Sequence, residues 1–161
     1  MRRILSEIDF SKNLLYHGLQ ERGKNNPMEI RKRILIVDDH PALREGLKSI
    51  LSYSPHFDIV GEACDGLEAI DLVEKLLPDL VLMDLSMPRL DGISATREIK
   101  GKKPATKVLI FTVHNTDEYL TAAKTAGADG FLLKGSSSAE MIQSMKDILE
   151  EKQEFLSNLG E

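Results

Sequence analysis

The sequence predicts an α/β fold, a doubly wound open parallel sheet built from five βα repeats, and three observations predict it. From Arg33 onward, short β-rich apolar runs alternate with segments of helical periodicity. Four of the five runs are apolar throughout, as strands covered on both faces must be. Turn and cap residues fall between the runs and the helical segments. Right-handed crossovers then bring the runs side by side in one sheet wrapped by helices.

Each element follows from its own residues. The first strand spans about 34–37 (Ile34-Leu35-Ile36-Val37), and Leu43, Leu47, Ile50 and Leu51 make the first helical face, with Pro41 in its first turn after Asp39-His40. The second strand, about 57–61, mixes a charge into Phe57-Asp58-Ile59-Val60 and reads as an edge. Leu67, Ile70, Val73 and Leu77 form the next helical face, with Asp65 as N-cap and Pro78 as stop. The third strand is 80–83; Ile93, Thr96 and Ile99 follow it, with Asp91 as N-cap and Gly101 with Pro104 closing the helix. The fourth strand, 108–112, leads to Leu120, Ala123 and Gly127 behind a candidate cap at Asp117. The fifth, 130–133, leads through Ser136-Ser137-Ser138 to Met141, Met145, Ile148 and Leu149.

The 161 residues suit one domain with some chain left over, and 42% hydrophobic content is enough for a core. Residues 1–31 form an arm, expected to be mobile or weakly helical: Ile4, Ile8, Leu15 and Leu19 line one side, and Gly18, Gly23 and Asn25-Asn26-Pro27 interrupt it. Residues 32–150 hold the repeats, and 151–161 read as the start of a linker or tail with no output domain. The formal charge is -5; residues 1–33 carry eight Lys/Arg against four Asp/Glu, and the remainder thirteen against twenty-two. That balance argues against direct nucleic-acid binding. A single cysteine, Cys64, excludes an internal disulfide and reads as a small filler at a strand end. No run approaches the roughly 20 apolar residues that span a bilayer. The N-terminus lacks a signal-peptide apolar region. The expected place is the cytoplasm, away from membrane.

In sheets of this kind the ligand site lies beyond the carboxyl ends of the strands. Five polar residues stand there: Asp38 and Asp39 after the first strand, Asp84 after Leu80-Val81-Leu82-Met83, Thr112 closing the fourth, and Lys134 after Phe131-Leu132-Leu133. Three carboxylates in one place repel one another without a cation. An all-oxygen set of this size suits Mg²⁺, which keeps several waters and favours a phosphoryl oxygen as a further ligand. With a lysine and a hydroxyl added, the set is equipped for phosphoryl transfer onto a carboxylate. Singly, each residue has an ordinary explanation as a helix cap, strand end or turn; their joint occurrence on successive repeats does not.

These residues carry a resemblance. Ile34-Leu35-Ile36-Val37-Asp38-Asp39-His40, Val81-Leu82-Met83-Asp84-Leu85-Ser86-Met87-Pro88-Arg89-Leu90-Asp91-Gly92, Thr112 and Gly130-Phe131-Leu132-Leu133-Lys134 together resemble the receiver domain of bacterial two-component response regulators. The resemblance implies a flavodoxin-like, CheY-like sheet of strand order 2-1-3-4-5. It implies that Asp84 is the phosphoacceptor, loaded by a sensor histidine kinase, and that Asp39, Asp84 and the Ser86 backbone carbonyl hold Mg²⁺, with Asp38 beside the metal or its waters. Lys134 and Thr112 match the phosphoryl-contacting residues, and Thr112 and Phe131 the switch pair, read out on the surface of the fourth helix, fifth strand and fifth helix. Ser86 and His114, each two residues past a site residue, are candidates for setting phosphoryl lifetime.

Gly135 stands where many receivers have proline, which leaves the geometry of the Lys134–Gly135 peptide open. Lys134-Gly135-Ser136 and Glu151-Lys152-Gln153-Glu154-Phe155-Leu156-Ser157 are similar to the NarL/FixJ, LuxR-type branch, whose members usually carry a helix-turn-helix. The expectation is therefore a transcription regulator's receiver, with a homodimer on phosphorylation, or a stand-alone single-domain regulator acting through protein contacts. It is not expected to be an enzyme beyond its own phosphorylation and dephosphorylation. A dehalogenase-type phosphatase would need Asp-x-Asp on the first strand, and an inert pocket would usually have lost part of the set.

Overall fold

Alternation within each strand sorts the core into two layers. A computed structural model describes residues 30–152 and 155–158, and residues from Arg31 onward form a unit of their own. Its strands are β1 (Lys32–Val37), β2 (Phe57–Ala63), β3 (Leu80–Met83), β4 (Lys107–Thr112), β5 (Gly130–Leu133) and β6 (Leu156–Asn158). Its helices are α1 (Pro41–Ser52), α2 (Gly66–Leu76), α3 (Gly92–Lys102), α4 (Asp117–Thr125) and α5 (Ser138–Leu149). Leu35, Val37, Val81, Met83, Val108 and Ile110 face α2, α3 and α4. Their neighbours Ile34, Ile36, Leu80, Leu82, Leu109 and Phe111 face α1 and α5. Side chains two apart share a sheet face, so a run apolar at every position is one whose two faces are both covered.

The sheet is parallel, in the order β2-β1-β3-β4-β5-β6. The five expected strands and their order 2-1-3-4-5 are therefore present, with β2 at the edge that its buried-exposed mixture indicated. A bulge between Ile34 and Leu35 resets the β1–β2 register, leaving Val60 as the extra residue. The sixth strand lies within residues 151–161, the stretch expected to be a linker or tail, and extends the sheet beyond β5. Three residues show no alternation to read, which is why this strand is not visible in the sequence.

The helix ends largely follow the local chemistry. Asp65 accepts from the Leu67 and Glu68 backbone N–H groups, and Asp91 from that of Ser94. Pro41 occupies the first turn of α1, and Ser137 with Glu140 forms a capping box on α5. Three assignments move. Thr116, not Asp117, caps α4. Gly101 lies inside α3, which runs on to Lys102. On α2 the buried face is Gly66, Ala69 and Val73, while Leu67 and Leu77 are exposed. Small residues win that face because α2 packs close to the Leu90 carbonyl and Ala95, where a Cβ on Gly66 would already be crowded.

The arm expected over residues 1–31 lies outside the described residues, apart from Ile30 and Arg31. No described helix is long and apolar enough to cross a membrane. Cys64 is exposed rather than a filler: its Sγ lies 3.7 Å from Asp65 Oδ2. The Glu68 and Asp65 carboxylates around it push its thiol pKa up, Glu68 most, with burial adding to the shift.

Candidate functional site

The site stands at the carboxyl ends of β1, β3, β4 and β5, where parallel pairing aligns four strand ends. Val37 pairs with Met83, Met83 with Ile110, and Thr112 with Leu133. The residues that follow those positions are Asp38, Asp84, Val113 and Lys134, and Thr112 itself closes β4. The loops are anchored by main-chain bonds: Asp84 N–H donates to the Val37 carbonyl at 2.9 Å, and Lys134 N–H to the Thr112 carbonyl at 2.8 Å.

Asp84 is buried, as is Asp38. Lys134 Nζ lies 2.6 Å from Asp38 Oδ2 and 3.3 Å from Asp84 Oδ1, so one ammonium serves two carboxylates. Burial raises the Asp84 pKa above the ordinary carboxylate value, and the Asp38 charge raises it further; Lys134 and the Leu85 N–H oppose both. Asp38 Oδ1 also accepts from His40, from the backbone N–H at 2.8 Å and Nδ1 at 3.0 Å. Asp39 is only partly buried, and its Oδ1 lies 3.0 Å from His40 Nδ1. That contact lacks hydrogen-bond geometry, and Asp39 Oδ1 is a buried oxygen with no hydrogen-bond donor among the described residues.

Ligand atoms of Asp38, Asp39, His40 and Asp84 fall within 4.8 Å of one another. An orphaned carboxylate oxygen in a cluster carrying three negative charges and one shared ammonium fits a hard divalent cation. Beside it opens a cleft of about 570 Å³ lined by Asp39, Leu85, Ser86, Met87, Asp91, Ile93 and Tyr119. Gly92 packs against the loop that bears Asp84: its N–H donates to the Leu85 carbonyl at 2.9 Å, and any Cβ there would overlap the Asp84 carbonyl oxygen.

The remaining candidates line the mouth and the strand behind it. Thr112 is fully buried, and its Oγ1 accepts from the His114 N–H at 3.2 Å. Ser86 Oγ and His114 Nε2 are 2.6 Å apart, so these two residues meet across the opening. Phe131 of β5 lies wholly inside the core, in the layer that includes Ala123 of α4. The Lys134–Gly135 peptide is trans. Four supporting residues went unread in the sequence. Arg44 donates from Nη1 to the Asp38 carbonyl at 2.6 Å and from Nε to Glu62 at 3.1 Å. Tyr119 stacks on His114 with ring centroids 4.8 Å apart. His40 and Gly92 stand in the quoted motifs and could have been found there; Arg44 and Tyr119 reach the site only through folding.

A family model described as the response regulator receiver domain matches residues 34–146. The chain belongs to the response regulator receiver family. Receivers of transcription regulators are its relatives: it is 41% identical over 118 residues to the transcriptional regulatory protein DegU of Brevibacillus brevis, covering 73% of this chain and 50% of that protein. This receiver chain thus spans about half the length of the curated relatives it matches. Among solved structures, a LuxR-family response regulator from Aurantimonas sp. SI85-9A1 is 40% identical with a TM-score of 0.73, over 76% of this chain and 87% of that one. The signal receiver domain of the putative response regulator NarL from Mycobacterium tuberculosis is 36% identical with a TM-score of 0.72, over 74% and 97%. The similarity to the NarL and LuxR branch stands with these relatives.

Proposed function

We propose that this receiver takes a phosphoryl group from a sensor histidine kinase onto Asp84 and signals the change through its α4–β5–α5 side. The observation that carries the reading is the buried Asp84 carboxylate, which shares the Lys134 ammonium with Asp38 and clusters with Asp39, a residue that lines the open cleft. An Asp84 oxygen attacks phosphorus, the phosphorus–nitrogen bond of the donor breaks, and the electron pair leaves with the imidazole. Asp39, Asp84 and the Ser86 carbonyl would hold Mg²⁺, with Asp38 beside the metal or its waters. When bound, Mg²⁺ neutralises charge on the transferred group.

Lys134 then turns from a carboxylate partner to a phosphoryl partner, because the product adds about -1.5 to -2 charge at the same place. The Thr112 hydroxyl, free to donate while it accepts from His114, is drawn to a phosphoryl oxygen, and Phe131 behind it repacks. Ser86 and His114, bridged across the mouth, stand in the way of water attacking the acyl phosphate and set its lifetime. The domain limits at 32 and 150 follow the repeats. A longer regulator of this kind would pass the signal to transcription, as the names of its relatives suggest, and a homodimer is the form such a switch surface favours; a receiver acting alone through protein contacts uses the same chemistry. The intact mass of the protein, taken after incubation with Mg²⁺ and acetyl phosphate, tests the reading. A Mg²⁺-dependent phospho-adduct absent from Asp84→Asn is the expected result; a chain that acquires none, or an equal adduct on the variant, overturns it.

A further inference from the structure

The strand β6 fills a place that β5 would otherwise leave open. Gly130, Phe131 and Leu132 pair in parallel with Leu156, Ser157 and Asn158. The segment enters this position through Phe155, half-buried against the core layer that contains Phe131. Lys124 of α4 holds its Nζ 5.6 Å from the centre of the Phe155 ring, within reach of a cation–π attraction. The turn that leads out of α5 is set by Glu151, whose φ of 55° is left-handed, whose N–H donates to the Ile148 carbonyl and whose carboxylate lies 3.1 Å from Lys107 Nζ.

An open sheet edge is a row of unpaired donors and acceptors that accepts an extended segment. Here the occupant is the chain itself. The attachment is small: the entropy lost in ordering each residue is set against only three paired residues and one partly buried aromatic ring. Such a segment docks only while β5 and α4 keep the relative position that both its contacts need.

We propose that Phe155–Asn158 is a strap on the β5–α4 surface, and that its docking and the phosphorylation of Asp84 weaken each other. The linkage rests on the phosphoacceptor reading above; the docking surface itself does not. Two paths join the strap to the site. Phe131 pairs directly with Ser157, so any repacking of that ring acts on the ladder that holds the strap. Thr112 is joined to α4 only through residues 113–116. A phosphoryl group that draws in the Thr112 hydroxyl therefore pulls that loop, and with it α4 and Lys124, relative to β5. The strap ties α4 to β5 and opposes the shift. By reciprocity, whatever factor phosphorylation takes from strap docking, loss of the strap returns to phosphorylation. While docked, the strap also keeps a second strand, from another copy or a partner, off the β5 edge.

Hydrogen exchange read by mass spectrometry on the full chain, with and without acetyl phosphate and Mg²⁺, tests this. Intact mass on the same samples reports the adduct. Phosphorylation is expected to speed exchange at residues 155–158 about tenfold, within the usual range of such couplings, and to leave β2 unchanged. Phe155→Ala, and Lys124→Ala on the exposed side of α4, are expected to exchange fast there from the outset. Both should reach a given phosphorylation level at several-fold less donor. If the adduct forms and exchange at 155–158 does not change, or if both variants phosphorylate as wild type does, the strap is overturned and the phosphoacceptor reading stands. If wild type forms no adduct, both fall.

Discussion

Asp84 is kept in a buried place by a cation it does not own, since Lys134 stands closer to Asp38. Burial first, and Asp38 second, raise its folded-state pKa. A raised carboxyl contributes stability that is fully present below its unfolded pKa and is lost as pH rises through the folded one. At neutral pH and without metal, the ionised group is therefore a liability. In the presence of a chelator, Asp84→Asn should unfold at a temperature about 2–4 °C higher than wild type at neutral pH, on the order of 1 kcal/mol. The gap should close in mild acid, once Asp84 is protonated in wild type too; thermal unfolding at the two pH values measures it, and a gap that does not depend on pH would count against the burial account. At this scale the sequence was most informative. Asp38, Asp39, Asp84, Thr112 and Lys134 were legible because each ends a recognisable strand. Cys64 was misread because a small apolar residue next to a strand fits either side of the surface equally well. The Arg44–Asp38 contact had no local signal, since a long side chain's partner is chosen by the fold.

Elements place those residues through close backbone approaches. The start of α3 sits directly under the Asp84 main chain, and the absence of a side chain at Gly92 is what allows it. Gly92→Ala should cost about 1–3 kcal/mol, the usual range for overpacking, and should lower phosphorylation more than stability requires, because the loop bearing Asp84 must move. Urea unfolding beside the phosphorylation rate checks both; Gly101→Ala, where nothing lies within 4 Å of a new Cβ, is the control. Legibility fell at this scale. Periodicity marks each described helix, yet on α2 it picks Leu67, Ile70, Val73 and Leu77, of which Val73 is buried and Ile70 partly so, and it passes over Gly66 and Ala69 of the buried face. Large apolar residues dominate a periodicity reading, whereas close helix packing selects small ones. The caps at Asp65 and Asp91 were readable from residue type, but Thr116 and Asp117 are adjacent good caps that only the backbone separates. A three-residue strand such as β6 carries no period at all.

For the whole molecule, an open parallel α/β sheet follows from five β-rich runs, four of them apolar throughout; the strand order is the one the receiver resemblance implies, and the relatives place the chain in that family. Three clustered carboxylates, two of them sharing one ammonium, leave the folded protein short of positive charge at one end of its sheet. Mg²⁺ binding there should stabilise the native state by RT ln(1 + [L]/Kd), about 1.4 kcal/mol at ten times Kd. The melting temperature of wild type should rise with added Mg²⁺, and that of Asp39→Asn, which loses the carboxylate's charge, should rise less; equal shifts would move the cation elsewhere. What the sequence does not supply at this scale is the β5–β6 pairing, which joins segments that no local pattern relates. The bond proposed to form at Asp84 is read directly by borohydride trapping. The phosphorylated protein is reduced, converting an aspartyl phosphate to homoserine, and peptide mass spectrometry locates the product. The account predicts homoserine at position 84 alone, dependent on both Mg²⁺ and phosphodonor. Homoserine at another aspartate, or a phosphate that survives reduction on a hydroxyl side chain, would contradict it.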